Sequence, residues 1–165
     1  MSEHAADATG ALQLRQAGAA DSGVIATLLV AFNAEFGTPA PPAAVLEDRL
    51  RDHLAAGALL AVVGGEPVSS LALLSPRRSV WYAGPVAILD ELYVVPGRRG
   101  EGLGSALLAY TEAMLADHGV AALEINVDSG DTDARRFYER HGYANHEPGA
   151  TDQLLYYFRE LAPPA

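Results

Sequence analysis

The sequence predicts an α/β fold in which a central twisted mixed sheet of about six or seven strands is flanked by about four helices. Three observations carry that expectation. Apolar residues switch repeatedly between alternating and helical spacing, in the order strand, two helices, three strands, helix, strand, helix, and one or more final strands. The 165 residues, 50% hydrophobic, match one compact core. One strand, at 84–95, runs through a glycine-rich turn directly into a helix, part of an α/β alternation that places helices on the faces of one sheet. No repeat or linker interrupts the pattern. The expected organisation is a disordered tail at 1–10, a single domain at 11–161 and a short C-terminal tail at 162–165.

Each element has its own signal. "ALQLRQA" (11–17) alternates apolar with polar residues and reads as a strand. Asp21 or Ser22 is placed to cap a helix carrying Val24, Ile25, Leu28, Leu29 and Phe32, ending near "EFGTPAPP". A second helix follows the prolines, from about Ala43 to Ala56, with Val45, Leu46, Leu50 and Leu54 on one face. "ALLAVVGGEPVSSLALL" (58–74) is two apolar runs joined at Gly64-Gly65-Glu66-Pro67, a hairpin signal. A polar turn is expected at "SPRRS". "GPVAILDELYVV" (84–95) is mostly strand, and Leu103, Leu107, Leu108, Thr111 and Leu115 mark a helix stopped by Gly119. "VAALEINV" (120–127) reads as a strand, "DTDARRFYERHG" (131–142) as a short helix and "QLLYYFREL" (153–161) as a last strand.

Composition narrows the function. The formal charge is −10 and all eleven basic residues are arginine, whereas a nucleic-acid binder would show a basic face. An acidic surface instead favours cationic partners such as amines. No apolar run reaches the roughly 18 residues of a membrane span, and the N-terminus lacks a signal-peptide plan, so a cytoplasmic protein with no membrane or nucleic-acid partner is expected. With no cysteine in the chain, a cysteine nucleophile and thiolate metal sites are excluded. The five histidines show no metal spacing. His118 and His141 each precede a helix-ending glycine, where an imidazolium suits the negative end of the dipole.

The segment "VVPGRRGEGLG" (94–104) asks for more than a turn. The first N–H groups of a helix have no intrahelical partner, the macrodipole adds partial positive charge, and glycines admit a phosphate to the backbone. Gly100, Gly102 and Gly104 sit where those donors should lie, beside Arg98 and Arg99. A bare turn needs one or two glycines, so a pyrophosphate cradle and a ligand-free turn both remain readings of the residues. A P-loop is excluded because it requires a lysine, and Gly-x-Gly-x-Gly has the wrong spacing for a dinucleotide fingerprint.

The run "LDELYVVPGRRGEGLGSALL" resembles the cofactor-binding motif of the GNAT superfamily of N-acetyltransferases, Arg/Gln-x-x-Gly-x-Gly/Ala. "DTDARRFYERHGY" (131–143) is similar to that family's downstream segment, with Asp131 where asparagine is common. The resemblance implies a GNAT-type sheet with acetyl-CoA in a cleft between two splayed parallel strands. It implies that Leu92, Tyr93 and Val94 pair with the pantetheine arm. Arg99 and the stretch Gly100, Glu101, Gly102, Leu103, Gly104 and Ser105 would hold the pyrophosphate, Asp131 would lie near the cofactor, and Arg98 would face water. Tyr138 matches the tyrosine that protonates the departing sulfur. Dimers are common in the family, which implies a homodimer.

An alkylammonium acceptor must lose a proton before it attacks, so a carboxylate or a water chain is expected near the thioester. Asp90 and Glu91 precede the pantetheine-pairing residues; on a regular strand they face opposite sides, unless a bulge intervenes. "LDELYV" is similar to polyamine-type acetyltransferases, which favours Asp90. Asn126 stands where the ribosomal-protein enzymes carry a glutamate, which disfavours that branch. By the same resemblance Glu35 falls where the acceptor pocket is shaped, and Trp81 and Tyr82 are candidates for its apolar wall. The expected activity is direct acetyl transfer from acetyl-CoA to the amine of a small molecule, polyamine- or aminoglycoside-like, or of a peptide. The alternative is a non-catalytic acyl-CoA sensor.

Overall fold

A computed structural model describes residues 12–161; the expected tails at 1–10 and 162–165 lie outside the described residues. The elements are β1 (Arg15–Gln16), α1 (Ser22–Glu35), α2 (Ala43–Ala55), β2 (Leu60–Gly64), β3 (Ser70–Arg77), β4 (Val86–Val94), α3 (Leu103–Asp117), β5 (Ala122–Ile125) and α4 (Thr132–Arg140). The chain divides into two compact units, one ending at Ile125 and the other beginning at Asn126.

In the first unit the five strands lie in sequence order, β1-β2-β3-β4-β5. The first three pairings are antiparallel, and β4 pairs with β5 in parallel. Residues directly opposite in a ladder share a face, so the register sorts the side chains. Ala61, Val63, Leu71, Leu73 and Tyr93 form one core with Ile25, Ala26 and Leu28 of α1 and Leu50 of α2. Val62, Ala72 and Leu74 occupy the alternate positions and are buried too. α3 packs against β2, β3 and β4, and its Leu103, Leu107 and Leu108 are at most 1% exposed. Each such leucine contributes about 1.5–3 kcal/mol of burial free energy, which explains why the helical spacing of α3 was readable. The helix stops where Gly119 takes φ +70° and Val120 N–H bonds back to Leu115 O at 2.9 Å.

In the second unit Asp131 caps α4 by accepting from Ala134 N–H at 2.9 Å, and Gly142 at φ +87° follows its end. Residues 153–160 carry no regular structure.

The structure corrects four expectations. The sheet has five strands rather than six or seven, because 153–161 joins no ladder among the described residues. A strand exists through its partner, so aromatic and branched residues alone do not make one; Tyr157 there is 85% exposed. The first strand shrinks to Arg15–Gln16. Asp21 stands at the N-cap of α1 without capping it, because its carboxylate is taken by Arg15 at 2.6 and 3.0 Å and by Gly18 N–H at 2.9 Å. The expected turn at "SPRRS" begins late: β3 continues through Ser75 and Pro76, opposite Ile88 and Ala87.

Candidate active site

The site is built where β4 outlasts its parallel neighbour. The β4–β5 ladder ends at Leu89↔Ile125, whereas β4 continues to Val94 against β3. Among the described residues, Asp90 to Val94 therefore have no strand on the β5 side. This is the edge where the family resemblance implies the pantetheine arm, through Leu92, Tyr93 and Val94.

At the first residue of that free stretch the strand bulges. Leu73 faces Glu91 and Leu74 faces Leu89, leaving Asp90 as the extra residue. Leu73 belongs to the α1–α2 face, so its partner Glu91 does too. Ser75 is two residues from Leu73 on the same face, and its hydroxyl donates to Asp90 Oδ2. The bulge thus brings Asp90 and Glu91 to one side, which regular alternation would forbid. Ser75 had no signal in the sequence; only the register joins it to Asp90.

The electrostatic consequence falls on Glu91. Partial burial, reinforced by the neighbouring Asp90 charge, raises its carboxyl from 4.5 to about 7. Asp90 is also raised by burial of its carboxyl group, although the residue as a whole is exposed, and the Ser75 hydroxyl partly offsets the effect. A carboxylate poised near neutrality beside a second one is a base suited to deprotonating a bound ammonium.

After β4, a short 3-10 turn at Pro96–Arg98 leads to the glycines. Gly100 and Gly102 adopt φ +81° and +78°, the left-handed region open to glycine. Gly102 is the N-cap of α3 and supplies no capping side chain. A Cβ placed on Gly97, Gly100 or Gly102 would meet nothing within 4 Å, so the protein leaves room beside this backbone. Uncapped helix donors, the dipole and open space together fit a pyrophosphate. Glu101 is exposed, Gly104 and Ser105 lie on the first turn of α3, and the Leu103 side chain is core.

Both arginines of the loop are engaged. Arg98 does not simply face water: its Nε donates to Glu101 Oε2 at 2.8 Å. Arg99 donates from Nε to Val94 O at 2.9 Å, and from Nη1 and Nη2 to the two carboxylate oxygens of Glu35 at 2.7 and 2.8 Å. Its guanidinium also lies 5.7 Å from the centre of the Tyr93 ring. Arg99 holds the Glu35 carboxyl below its ordinary value, while burial, and then the Glu35 charge, raise the Tyr93 phenol. The family resemblance implied Glu35 for the acceptor and Arg99 for the cofactor; the structure joins the two in one ion pair.

Trp81 and Tyr82, in the β3–β4 connection, are 88% and 52% exposed. A concavity of about 250 Å³, lined by Gln16, Tyr110, Ala113, Met114, Asp117 and His118, lies towards the far end of α3 from the glycine loop and holds no catalytic grouping. Tyr138 belongs to the second unit, half-buried on α4, with its ring 5.3 Å from Phe137 and 5.8 Å from Tyr143. Asp131 spends its carboxylate on the helix cap. His118 and His141 each bond through Nδ1 to the carbonyl four residues back, at 2.8 and 2.7 Å. Among the described residues no group of three or more acidic or histidine side chains could hold a metal, and no helix is long and apolar enough to cross a membrane.

A β4 edge released by its parallel partner, followed by a glycine loop and an uncapped helix, defines an acetyltransferase of one family. The chain matches the model of the Acetyltransferase (GNAT) family over residues 24–143, and it belongs to that family as an N-acetyltransferase. It is 54% identical to an acetyltransferase-like protein of Arthrobacter sp. FB24 whose crystal structure it matches with a TM-score of 0.85, over 90% of this chain and 95% of that one. It is 30% identical to the uncharacterized N-acetyltransferase YhfO of Bacillus subtilis (strain 168) over 80% of this chain and 89% of the relative. It is 34% identical to the aminoalkylphosphonate N-acetyltransferase of Salmonella typhimurium over 51% of this chain, a match spanning only 54% of that enzyme. The acetyl donor of GNAT enzymes is acetyl-CoA.

Proposed function

We propose that this protein transfers an acetyl group from acetyl-CoA to the primary amine of a small cationic molecule, polyamine- or aminoglycoside-like, or of a peptide. Transfer is direct, within a ternary complex, because the chain has no cysteine to carry the acetyl group. The observation that carries the reading is the bulge that sets Asp90 and Glu91 on one face where β4 leaves β5. A sensor that only bound acyl-CoA would have no use for a half-buried carboxyl near pH 7.

When bound, acetyl-CoA supplies a thioester-activated acetyl group. The chain's own residues do the rest. The amides from Gly100 to Ser105 hold the pyrophosphate and the free edge of Leu92, Tyr93 and Val94 aligns the arm. Glu91 takes the proton of the ammonium, while Asp90, anchored by Ser75, offers the amine a fixed negative partner. The Tyr138 phenol gives its proton to the departing sulfur; its place in the segment ending at Tyr143, which the family match includes, supports that role. The aminoalkylphosphonate enzyme among the relatives supports a small amine as acceptor.

The decisive test follows CoA release across polyamines, aminoglycosides, amino acids and peptides. A productive amine is expected, and Tyr138→Phe should lower its turnover by roughly ten- to a thousandfold while leaving acetyl-CoA affinity largely intact. Unchanged turnover would remove Tyr138 from the mechanism. Persistent silence across the panel would favour the sensor.

The reading includes a single functional domain at 11–161, a cytoplasmic location and a homodimer. Leu154, Leu155, Tyr156, Tyr157 and Phe158 are 60–85% exposed, and so contiguous an apolar stretch fits a covered surface. Light scattering should give twice the chain mass, and replacing Tyr157 and Phe158 by aspartate should give the monomer. A monomeric wild type at all concentrations refutes the dimer.

A further inference from the structure

The two loop arginines suggest by themselves how an acidic protein receives an anionic cofactor, yet neither guanidinium is uncompensated. Arg98 is paired with Glu101, three residues further along the same stretch, at 2.8 Å. Arg99 is paired with Glu35 from a different element, 64 residues away in sequence. A phosphate ligand entering the loop therefore meets guanidinium charges already in use.

Glu35 is also in a place that helix energetics disfavours. It is the last residue of α1, where the negative end of the dipole opposes a carboxylate. Arg99 offsets that cost with two parallel N–H···O bonds, a geometry specific to arginine. Three of its five N–H groups are committed, two to Glu35 and one to Val94 O. The Arg99 side chain is 44% exposed and that of Glu35 27%, so the pair is open to a ligand arriving from solvent.

We propose that Glu35 and the cofactor's pyrophosphate compete for the Arg99 guanidinium, making the pair a link through which the glycine loop reports its occupancy to the end of α1. The link rests on acetyl-CoA being the ligand of the loop. Without cofactor, Glu35 is neutralised by Arg99. With cofactor, the positive charge is drawn to the phosphates and the Glu35 carboxylate is released to a cationic acceptor. The same movement reaches α1 by a second route, because Arg99 lies over Tyr93, and Tyr93 meets Phe32 edge to face at 5.4 Å. Phe32 in turn contacts Phe36, just past Glu35, at 5.0 Å. The consequence is a reciprocal coupling, in which bound cofactor strengthens amine binding and bound amine strengthens cofactor binding.

Calorimetric titration of the full chain with acetyl-CoA tests this without relying on activity. Competition predicts that Glu35→Gln tightens acetyl-CoA binding by roughly three- to tenfold, the effect of removing one charge at this range near a surface. The gain should vanish when Glu35→Gln is added to Arg99→Gln. A brace that merely holds Arg99 in position predicts the opposite sign, so unchanged or weaker binding by Glu35→Gln overturns the link while leaving the acetyl-CoA reading intact. A gain that persists in the double variant also overturns it. No binding by the wild type would instead overturn the reading of the loop itself, and the link with it.

Discussion

Glu91 shows what one side chain owes to its backbone. "LDELYV" makes the two acids visible, but their facing is decided by an extra residue in one strand, which no spacing rule reveals. The pairing of Leu73 with Glu91 and of Leu74 with Leu89 resolves a choice that alternation leaves open. It also shifts attention from Asp90, favoured by resemblance, to Glu91, whose carboxyl is raised to about 7 by burial and then by Asp90. A base must be deprotonated, so kcat/KM should climb with pH through about 7. Glu91→Gln should remove that limb and lower kcat/KM by roughly 10²–10⁴-fold. Asp90→Asn, which deletes the like charge, should move the limb to lower pH. A wild-type profile flat from pH 5.5 to 8.5 would exclude Glu91 as the base. Stability runs the other way. A carboxyl raised from 4.5 to about 7 leaves the folded state holding the extra proton between those values. The stabilisation is complete below 4.5 and is lost as pH rises through 7. Glu91→Gln should therefore be more stable than wild type at pH 8, by about 1 kcal/mol once the solvent reaching the carboxylate is discounted. Thermal denaturation at pH 5 and pH 8 checks the sign.

Elements were legible in proportion to how much of their stabilisation is local. α3 and β4 fall within two residues of their expected bounds because both are amphipathic or apolar runs closed by glycine or proline. The strand expected at 153–161 fails because a strand depends on a partner that its own residues do not specify. The glycine loop lies between these cases: its residue types left an anion cradle and a ligand-free turn both open, while the capture of Arg99 by Glu35 crosses 64 positions and left no local trace. The loop permits a clean experiment. Gly102 has φ +78°, and a Cβ there would meet no protein atom within 4 Å. Gly102→Ala should thus cost only the left-handed strain of an L-residue, about 1–2 kcal/mol. If the open space belongs to a ligand, acetyl-CoA affinity should fall at least tenfold even where the variant remains folded. Denaturant unfolding and calorimetry separate the two losses, and unchanged affinity in a folded variant would remove the loop backbone from cofactor binding.

For the whole molecule, sheet class and helix number followed from the alternation of patterns, whereas the division at Ile125 has no marker in composition. Net charge was legible in full, and its consequences depend on where it is compensated. The chain carries −10, while the loop's arginines are balanced one for one by Glu101 and Glu35. A distant field of −10 thus surrounds a glycine loop whose own arginines are locally neutralised. Such a field draws a polycationic amine inward and repels anionic acetyl-CoA, and both effects fade once the Debye length falls from about 20–30 Å at low salt towards 6 Å at 0.3 M. Kinetics from 20 mM to 300 mM salt should therefore separate the two substrates. The kcat/KM for a polyamine is expected to fall, in the order of tenfold for the most highly charged acceptors. The kcat/KM for acetyl-CoA should hold steady or rise. A neutral buffer amine, acetylated slowly at high pH, should show neither trend. Parallel decreases for both substrates would mean that salt disrupts the local ion pairs of the site, and long-range steering by the acidic surface would be refuted.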